Sequence, residues 1–212
     1  MGPGLDGPID GTPVLLIACT LAMGVAVGLA LGGSLRDFPT VRLRSWWLAA
    51  LGIVMQFLNP PGTWGHLAVA ASFVVLLAFA VVNVEQPGVL LIGAGLLLNA
   101  LVITVNGGMP VAREAIVRSG QEATLPDLVA GGGGAKHHLA DDGTRLLLLG
   151  DVIAVPPPIA QAMSVGDLVM YGGVVWYLAA AAGPRRRPVA TAVQLTSRAR
   201  KDASARRSSA TA

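Results

Sequence analysis

Ionisable side chains are scarce in this 212-residue chain, so each one near an apolar run stands out. Asp151 and Asp167 share a local pattern: each follows a glycine and precedes two apolar residues, in Gly150-Asp151-Val152-Ile153 and Gly166-Asp167-Leu168-Val169. Charges beside apolar runs are costly unless paired. Two carboxylates of this kind could divide general acid and base work between them. The structural alternative is equally concrete. Ser164-Val165-Gly166-Asp167 has the spacing of a capping box, which would make Asp167 the satisfier of free N–H groups at a helix start. Asp151 would then be a turn acid bonded to nearby amides or to Arg145. No spacing fixes the distance between the two acids, so both readings stay open.

Lys136-His137-His138, with Asp141 and Asp142 close by, raises the question of a metal. Adjacent histidines share no face of a regular element, and no third ligand follows at a diagnostic spacing. The expectation is no metal. Haem held within the membrane would need paired histidines, and His66 alone lies in an apolar run, at its edge. Gly-x-Ser-x-Gly, P-loop and His-Glu-x-x-His motifs are absent. Cys19 is the single cysteine, which leaves neither a disulfide nor a dithiol centre. We therefore expect no cofactor.

The elements that must position these residues are apolar. Hydrophobic residues make up 53% of the chain and charged ones 13%, about half the usual share of a soluble domain. Five runs read as transmembrane helices, at about 13–33, 43–58, 65–82, 88–105 and 165–182. The second is short, and Asn59-Pro60-Pro61-Gly62 ends it. Trp46, Trp47 and Trp64 fall at interfacial levels. The fold class expected is an all-α polytopic membrane helix bundle over 1–184, with an extracytoplasmic re-entrant or interfacial loop at 106–164. A disordered basic tail should occupy 185–212. The first run is preceded by Asp6 and Asp10 and no basic residue, unlike a signal peptide.

With the N-terminus outside, eleven Lys and Arg residues fall on the cytoplasmic side and four outside. The chain is therefore expected in the cell membrane with its tail in the cytoplasm. The basic residues gather behind the last apolar run, where they suit anionic lipid headgroups rather than nucleic acid. A sixth span at Leu146 to Val155 is too short and carries Asp151.

Gly24, Gly28 and Gly32, preceded by Thr20, form a small-residue stripe at spacing four on the first helix. Such stripes let backbones approach closely in lipid. The stripe predicts contact within the bundle, with a homodimer or a larger membrane partner as the alternative. Ala68, Ser72 and Ala80 of the third helix offer one possible counterface, and Gly172 and Gly173 mark the fifth. Gln56, Asn99 and Asn106 lie within or at the ends of spans, where polar side chains turn inward to find partners or line a cavity.

Within the loop, Asn106 to Val111 predicts a sharp turn, Ala112 to Ser119 a short amphipathic helix, and Thr124-Leu125-Pro126-Asp127 a helix start capped by Thr124. Gly131 to Gly134 reads as a linker. Leu146 to Val155 should fold back onto the outer leaflet, pack against Asn106 to Pro110 and the start of the last helix, and form a lid. Pro156-Pro157-Pro158 should return as an extended strut.

Three stretches taken together, Asn106-Gly107-Gly108-Met109-Pro110-Val111, Thr144 to Ile153 and Ser164-Val165-Gly166-Asp167, resemble a bacterial multi-pass membrane family, domain of unknown function 5317, over roughly residues 13–182. The resemblance implies no established activity. It implies one extracytoplasmic surface carrying Asn106, Gly107, Gly108, Met109, Pro110, His138, Asp151 and Asp167. Three roles compete: an accessory or scaffold subunit, a binder or transporter of a small or lipid-linked ligand, and a membrane enzyme using the carboxylates. A dry bundle favours the first, a cavity lined by Gln56, Asn99 and Asn106 the second, and carboxylates converging with His138 the third.

Overall fold

The computed structural model describes residues 12–35, 43–57, 63–133 and 136–182. The expected tail at 185–212, the break at 59–62 and most of the first connection lie outside the described residues. Five long helices form the body: α1 (Thr12–Ala30), α2 (Trp46–Phe57), α3 (Thr63–Val82), α4 (Val89–Asn106) and α7 (Val165–Ala182). Their outward faces are apolar. Val74, Leu90, Leu97 and Trp176 point away from the body, whereas Thr20, Ser72, Asn83 and Asn99 are buried. An apolar exterior over a core that holds its few polar side chains inward is the arrangement lipid favours. Three helices, α3, α4 and α7, are long and apolar enough to cross a membrane by length and composition. The apolar stretches Val14–Ala30 and Trp46–Gln56 are shorter. At 1.5 Å per residue, the 12 residues of α2 reach only about 18 Å.

Neighbours follow the order α1, α7, α4, α3, α2. The α1 stripe meets α7. A Cβ at Gly24 would lie 2.7 Å from Leu178 Cβ, and one at Gly28 would lie 2.6 Å from Ala182 Cβ. Gly32 does not extend the stripe: α1 stops at Ala30, Gly32 takes φ 86°, and nothing lies within 4 Å of its would-be Cβ. Gly33 takes over, with a would-be Cβ against the Ala182 carbonyl, and Ser34 N–H donates to that carbonyl at 2.8 Å. The counterface expected on α3 serves other neighbours. Ser72 accepts a bond from Gln56 of α2, and Ala80 faces Gly93 of α4.

Between α4 and α7 the chain builds a cap, and here the all-α expectation needs correcting. β1 (Met109–Val111) pairs in parallel with β2 (His137–Leu139), and β3 (Ile153–Val155) pairs antiparallel with β4 (Gln161–Met163). Two short helices, α5 (Arg113–Ser119) and α6 (Leu125–Val129), lie between β1 and β2. The turn before β1 works as expected: Gly107 ends α4 in the left-handed region at φ 71° and returns its N–H to Ile103 O.

Two local expectations fail. Thr124 does not cap α6, because it is itself helical and its hydroxyl closes the preceding turn onto Gln121 O. Pro156-Pro157-Pro158 is no extended strut. It lies in the connection of the β3–β4 hairpin, closed by Ala160 N–H to Pro156 O, where residues without N–H donors leave no ladder bond unmade.

Candidate functional site

The first α1 turns, the end of α2, the start of α3, the end of α4 and the start of α7 meet beneath the cap. They do so because consecutive helices run antiparallel. Together with the cap they enclose a cavity of about 340 Å³, bordered by Leu16, Gln56, Asn99 and Asp167 below and by Lys136, His137, Asp151 and Gln161 above.

The floor is a closed hydrogen-bond ring. Ser164 N–H donates to Asp167 Oδ2 at 3.0 Å, and Asp167 N–H returns a bond to Ser164 Oγ at 3.0 Å. This is the reciprocal capping box foreseen from the Ser-x-x-Asp spacing. It is extended by Asn99, whose Nδ2 donates to Asp167 Oδ1 at 2.7 Å and whose Oδ1 accepts from Ser164 Oγ at 2.9 Å. Gly166 makes the approach of α4 possible, since a Cβ there would collide with Asn99 Oδ1. Each Asp167 oxygen therefore already accepts a bond, and the side chain is a structural cap at the edge of the cavity.

Asp151 is different. Its backbone is fixed against β1: its N–H donates to Pro110 O at 2.9 Å and its carbonyl accepts from Ala112 N–H at 3.1 Å. That bridge, paired with Val111, puts the side chain under the cap, where the residue is 6% exposed. Among the described residues its carboxyl makes no hydrogen bond. The nearest charged-type partner is His137 Nε2, 3.9 Å from Oδ2, beyond hydrogen-bond length. The alternative partner, Arg145, is committed elsewhere through its backbone. Its N–H donates to Asn106 Oδ1 at 2.8 Å and its carbonyl accepts from Asn106 Nδ2 at 2.9 Å. Burial, with the Asp167 charge adding to it, pushes the Asp151 carboxyl up to about 8, so it is mostly protonated at neutral pH. The His137 ring keeps 48% of its surface open, which limits how strongly burial can act. The direction is downward, from desolvation first and the Lys136 charge second, and this favours neutral imidazole. Burial likewise lowers Lys136.

Of the surface residues the resemblance grouped together, Met109, Asp151 and Asp167 border the cavity. Asn106 is a clamp for the Arg145 backbone, and Pro110 supplies the carbonyl that holds Asp151. Gly107 and Gly108 shape the turn. His137 borders this cavity, whereas His138 lines a separate cleft with Asn106 and Arg145. In β2 successive side chains point to opposite faces, and His138 turns toward Gly108, 3.1 Å from its would-be Cβ. Gln161 was not foreseen. Its Oε1 is buried without a hydrogen-bond partner among the described residues, and no sequence pattern marks it. In the run 146–155, Leu147–Leu149 forms a 3₁₀ turn beside α4 and α7, with Leu146 and Leu147 45% and 38% exposed. Leu148 still projects, 81% exposed.

The chain can be set beside known proteins. No solved structure matches it. An uncharacterized protein of Thermotoga maritima is 30% identical over 164 residues, covering 76% of this chain and 85% of the relative. Residues 40–179 match the family of unknown function DUF5317, a stretch that spans α2 to α7 and takes in the cap and the floor ring. On that match the chain belongs to the DUF5317 family.

Proposed function

We propose that this protein is a membrane-embedded ligand binder whose site is the cavity beneath the cap, opening on the extracytoplasmic side. One observation carries the reading: the bundle is not dry. A space of about 340 Å³ contains Gln161 Oε1, buried with no hydrogen-bond partner among the described residues, and the nearly buried Asp151 carboxyl, whose nearest partner is His137 at 3.9 Å. Unsatisfied buried polar groups cost about 1–3 kcal/mol each, so a protein that only docked partners through its helices would have little reason to keep them. The scaffold role loses ground on this count. The enzyme role gains a neutral acid beside a neutral imidazole. It loses the second free carboxylate, because Asp167 is engaged in the cap.

The reading includes five membrane spans. All five long helices contribute to the lining of the cavity, and away from it Ser34 N–H donates to Ala182 O at 2.8 Å and Arg44 N–H to Asn83 Oδ1 at 2.7 Å. The short α2 spans with help from its flanks, and Trp46 and Trp47 sit at its tail-side interface. The positive-inside count puts the cap outside. Cysteines introduced singly at Gly132 and Ser204 in a Cys19→Ala background test this with an impermeant label on intact cells. Labelling at Ser204 without labelling at Gly132 overturns the topology.

Intact-mass analysis in mild detergent tests the binding function. The wild type should carry a small non-covalent molecule, and Ala162→Phe, which fills the cavity, should lose it. A wild type free of any small molecule and in stoichiometric complex with another membrane protein would restore the scaffold role.

A further inference from the structure

A second space lies on the lipid-facing side of the bundle at the same end. It is a groove of about 380 Å³ between α3 and α4, lined by Thr63, Leu67, Ala70, Val74, Leu77 and Ala100. Its walls are almost wholly apolar, and Leu67 and Val74 are 54% and 67% exposed. From Thr63 to Leu77 it follows α3 for roughly 21 Å at 1.5 Å per residue, enough to cover the roughly 15 Å depth of one leaflet. The groove and the polar cavity are not separate features. Val69, Phe73 and Ile103 line both, so an apolar trough open to lipid and a polar chamber under the cap adjoin at these side chains.

The polar chamber specifies a head. Gln161 Oε1 is a buried acceptor with no donor, and the Asp151 carboxyl is nine-tenths buried and unbonded. Gln161 Oε1 calls for an N–H or O–H group from a ligand, and the protonated Asp151 carboxyl can accept one such bond through its carbonyl oxygen while donating its own O–H. Beside them, Lys136 forms no ion pair with a carboxylate among the described residues, and its burial penalises the ammonium, a cost that an anionic partner would offset. We infer that cavity and groove are the two halves of one phospholipid site, in which the phosphate lies at Lys136, a donor-bearing amine or hydroxyl head reaches Gln161 and Asp151, and a chain lies along α3 and α4. This rests on the ligand-binding reading above and names its ligand class. A head without N–H or O–H groups, such as choline, keeps the phosphate and loses the bonds to Gln161 and Asp151.

The test uses the full chain in detergent with lipids of identical chains, read by native mass spectrometry and by lipid-induced rise in melting temperature. Ethanolamine and glycerol phospholipids should bind at least tenfold more tightly than the choline lipid. Glycerophosphoethanolamine, which has the head and no chain, should bind at least tenfold more weakly than the intact ethanolamine lipid. Ala70→Phe fills the groove from its exposed side and should abolish the gain due to the chain while leaving binding of the chain-free head unchanged. Gln161→Leu should bring the ethanolamine lipid down to the choline level, while the lipid-free melting temperature holds or rises because an unsatisfied acceptor has gone. Equal binding of choline and ethanolamine lipids would overturn the head assignment. Equal binding of the chain-free head and the intact lipid would overturn the groove while sparing the cavity. If a different small molecule co-purifies and no phospholipid binds, this inference fails and the binding function stands. If the cavity takes nothing, both fail.

Discussion

The seam between α1 and α7 and the chamber under the cap are made from the same helices by opposite means. Along the seam there is no room for one methyl group: Gly24, Gly28 and Gly33 each bring the α1 backbone against Leu178, Ala179 or Ala182. In the chamber, space is left open, Gln161 Oε1 lies buried without a hydrogen-bond partner among the described residues, and Asp151 has only His137 at 3.9 Å. Lipid supplies no hydrophobic drive between helices, so contact at the seam has to come from close packing. The chamber leaves space between Leu16 of α1 and Asp167 and Tyr171 of α7, while α4 still packs tightly on the start of α7 at Gly166. The difference suggests a division of labour, in which tight backbone approach at one end holds together a bundle that carries an expensive site at the other.

Substitutions can break this contrast. The largest effect is expected at the seam. Gly28→Leu must displace Ala182 and the Ala179 carbonyl, at about 1–3 kcal/mol or more, read as a lower melting temperature in detergent. A wild-type melt would mean that the seam can open without loss.

Next is the floor ring. Asn99→Ala removes the donor to Asp167 Oδ1 and the acceptor of Ser164 Oγ, and should cost about 1–3 kcal/mol through the groups left unpaired. A loss as large as that of Gly28→Leu would blur the division between packing and site.

Asp151 gives a pH signature rather than a fixed loss. Its carboxyl is raised from 3.8 to about 8 in the folded chain, so between those values the folded state holds a proton that the unfolded state has released. Its contribution is fully present below about pH 4 and is lost as pH rises toward 8. Asp151→Asn should flatten that decline in melts taken across the window. An unchanged pH profile would show that the carboxyl is solvated.

The smallest effect separates two adjacent glycines of α7. Gly173 faces the Gly88 carbonyl at 2.6 Å from its would-be Cβ, while Gly172 has nothing within 4 Å. Gly172→Ala should be neutral or stabilising by up to about 1 kcal/mol, and Gly173→Ala should destabilise. Equal effects at both would mean that the packing asymmetry of α7 is not real.

Local features of the site were readable in advance because they depend on spacing. Ser164 and Asp167 lie three residues apart, which is enough for a reciprocal cap whatever surrounds it. The Gly107 turn and α5 followed from the same short-range chemistry. The choice between His137 and His138 did not, because it depends on which face of a three-residue strand meets β1. Thr124 misled for a related reason: a capping residue works only if its own backbone is non-helical, and the preceding turn decided otherwise.

Composition and periodicity by themselves determined that the chain has helices long and apolar enough to cross a bilayer, where those helices fall, that α1 would pack through glycine, and that Asp167 would start the last helix. These follow from transfer of apolar side chains and from contacts within four residues, which any surroundings must respect. Tertiary structure decided the rest: α7 rather than α3 as the partner of α1, Asn99 reaching 68 residues along the chain to Asp167, and Asp151 and Gln161 brought to one cavity. Those depend on the direction in which side chains point once distant helices are packed, and on which groups find a donor there. No spacing along the chain encodes that.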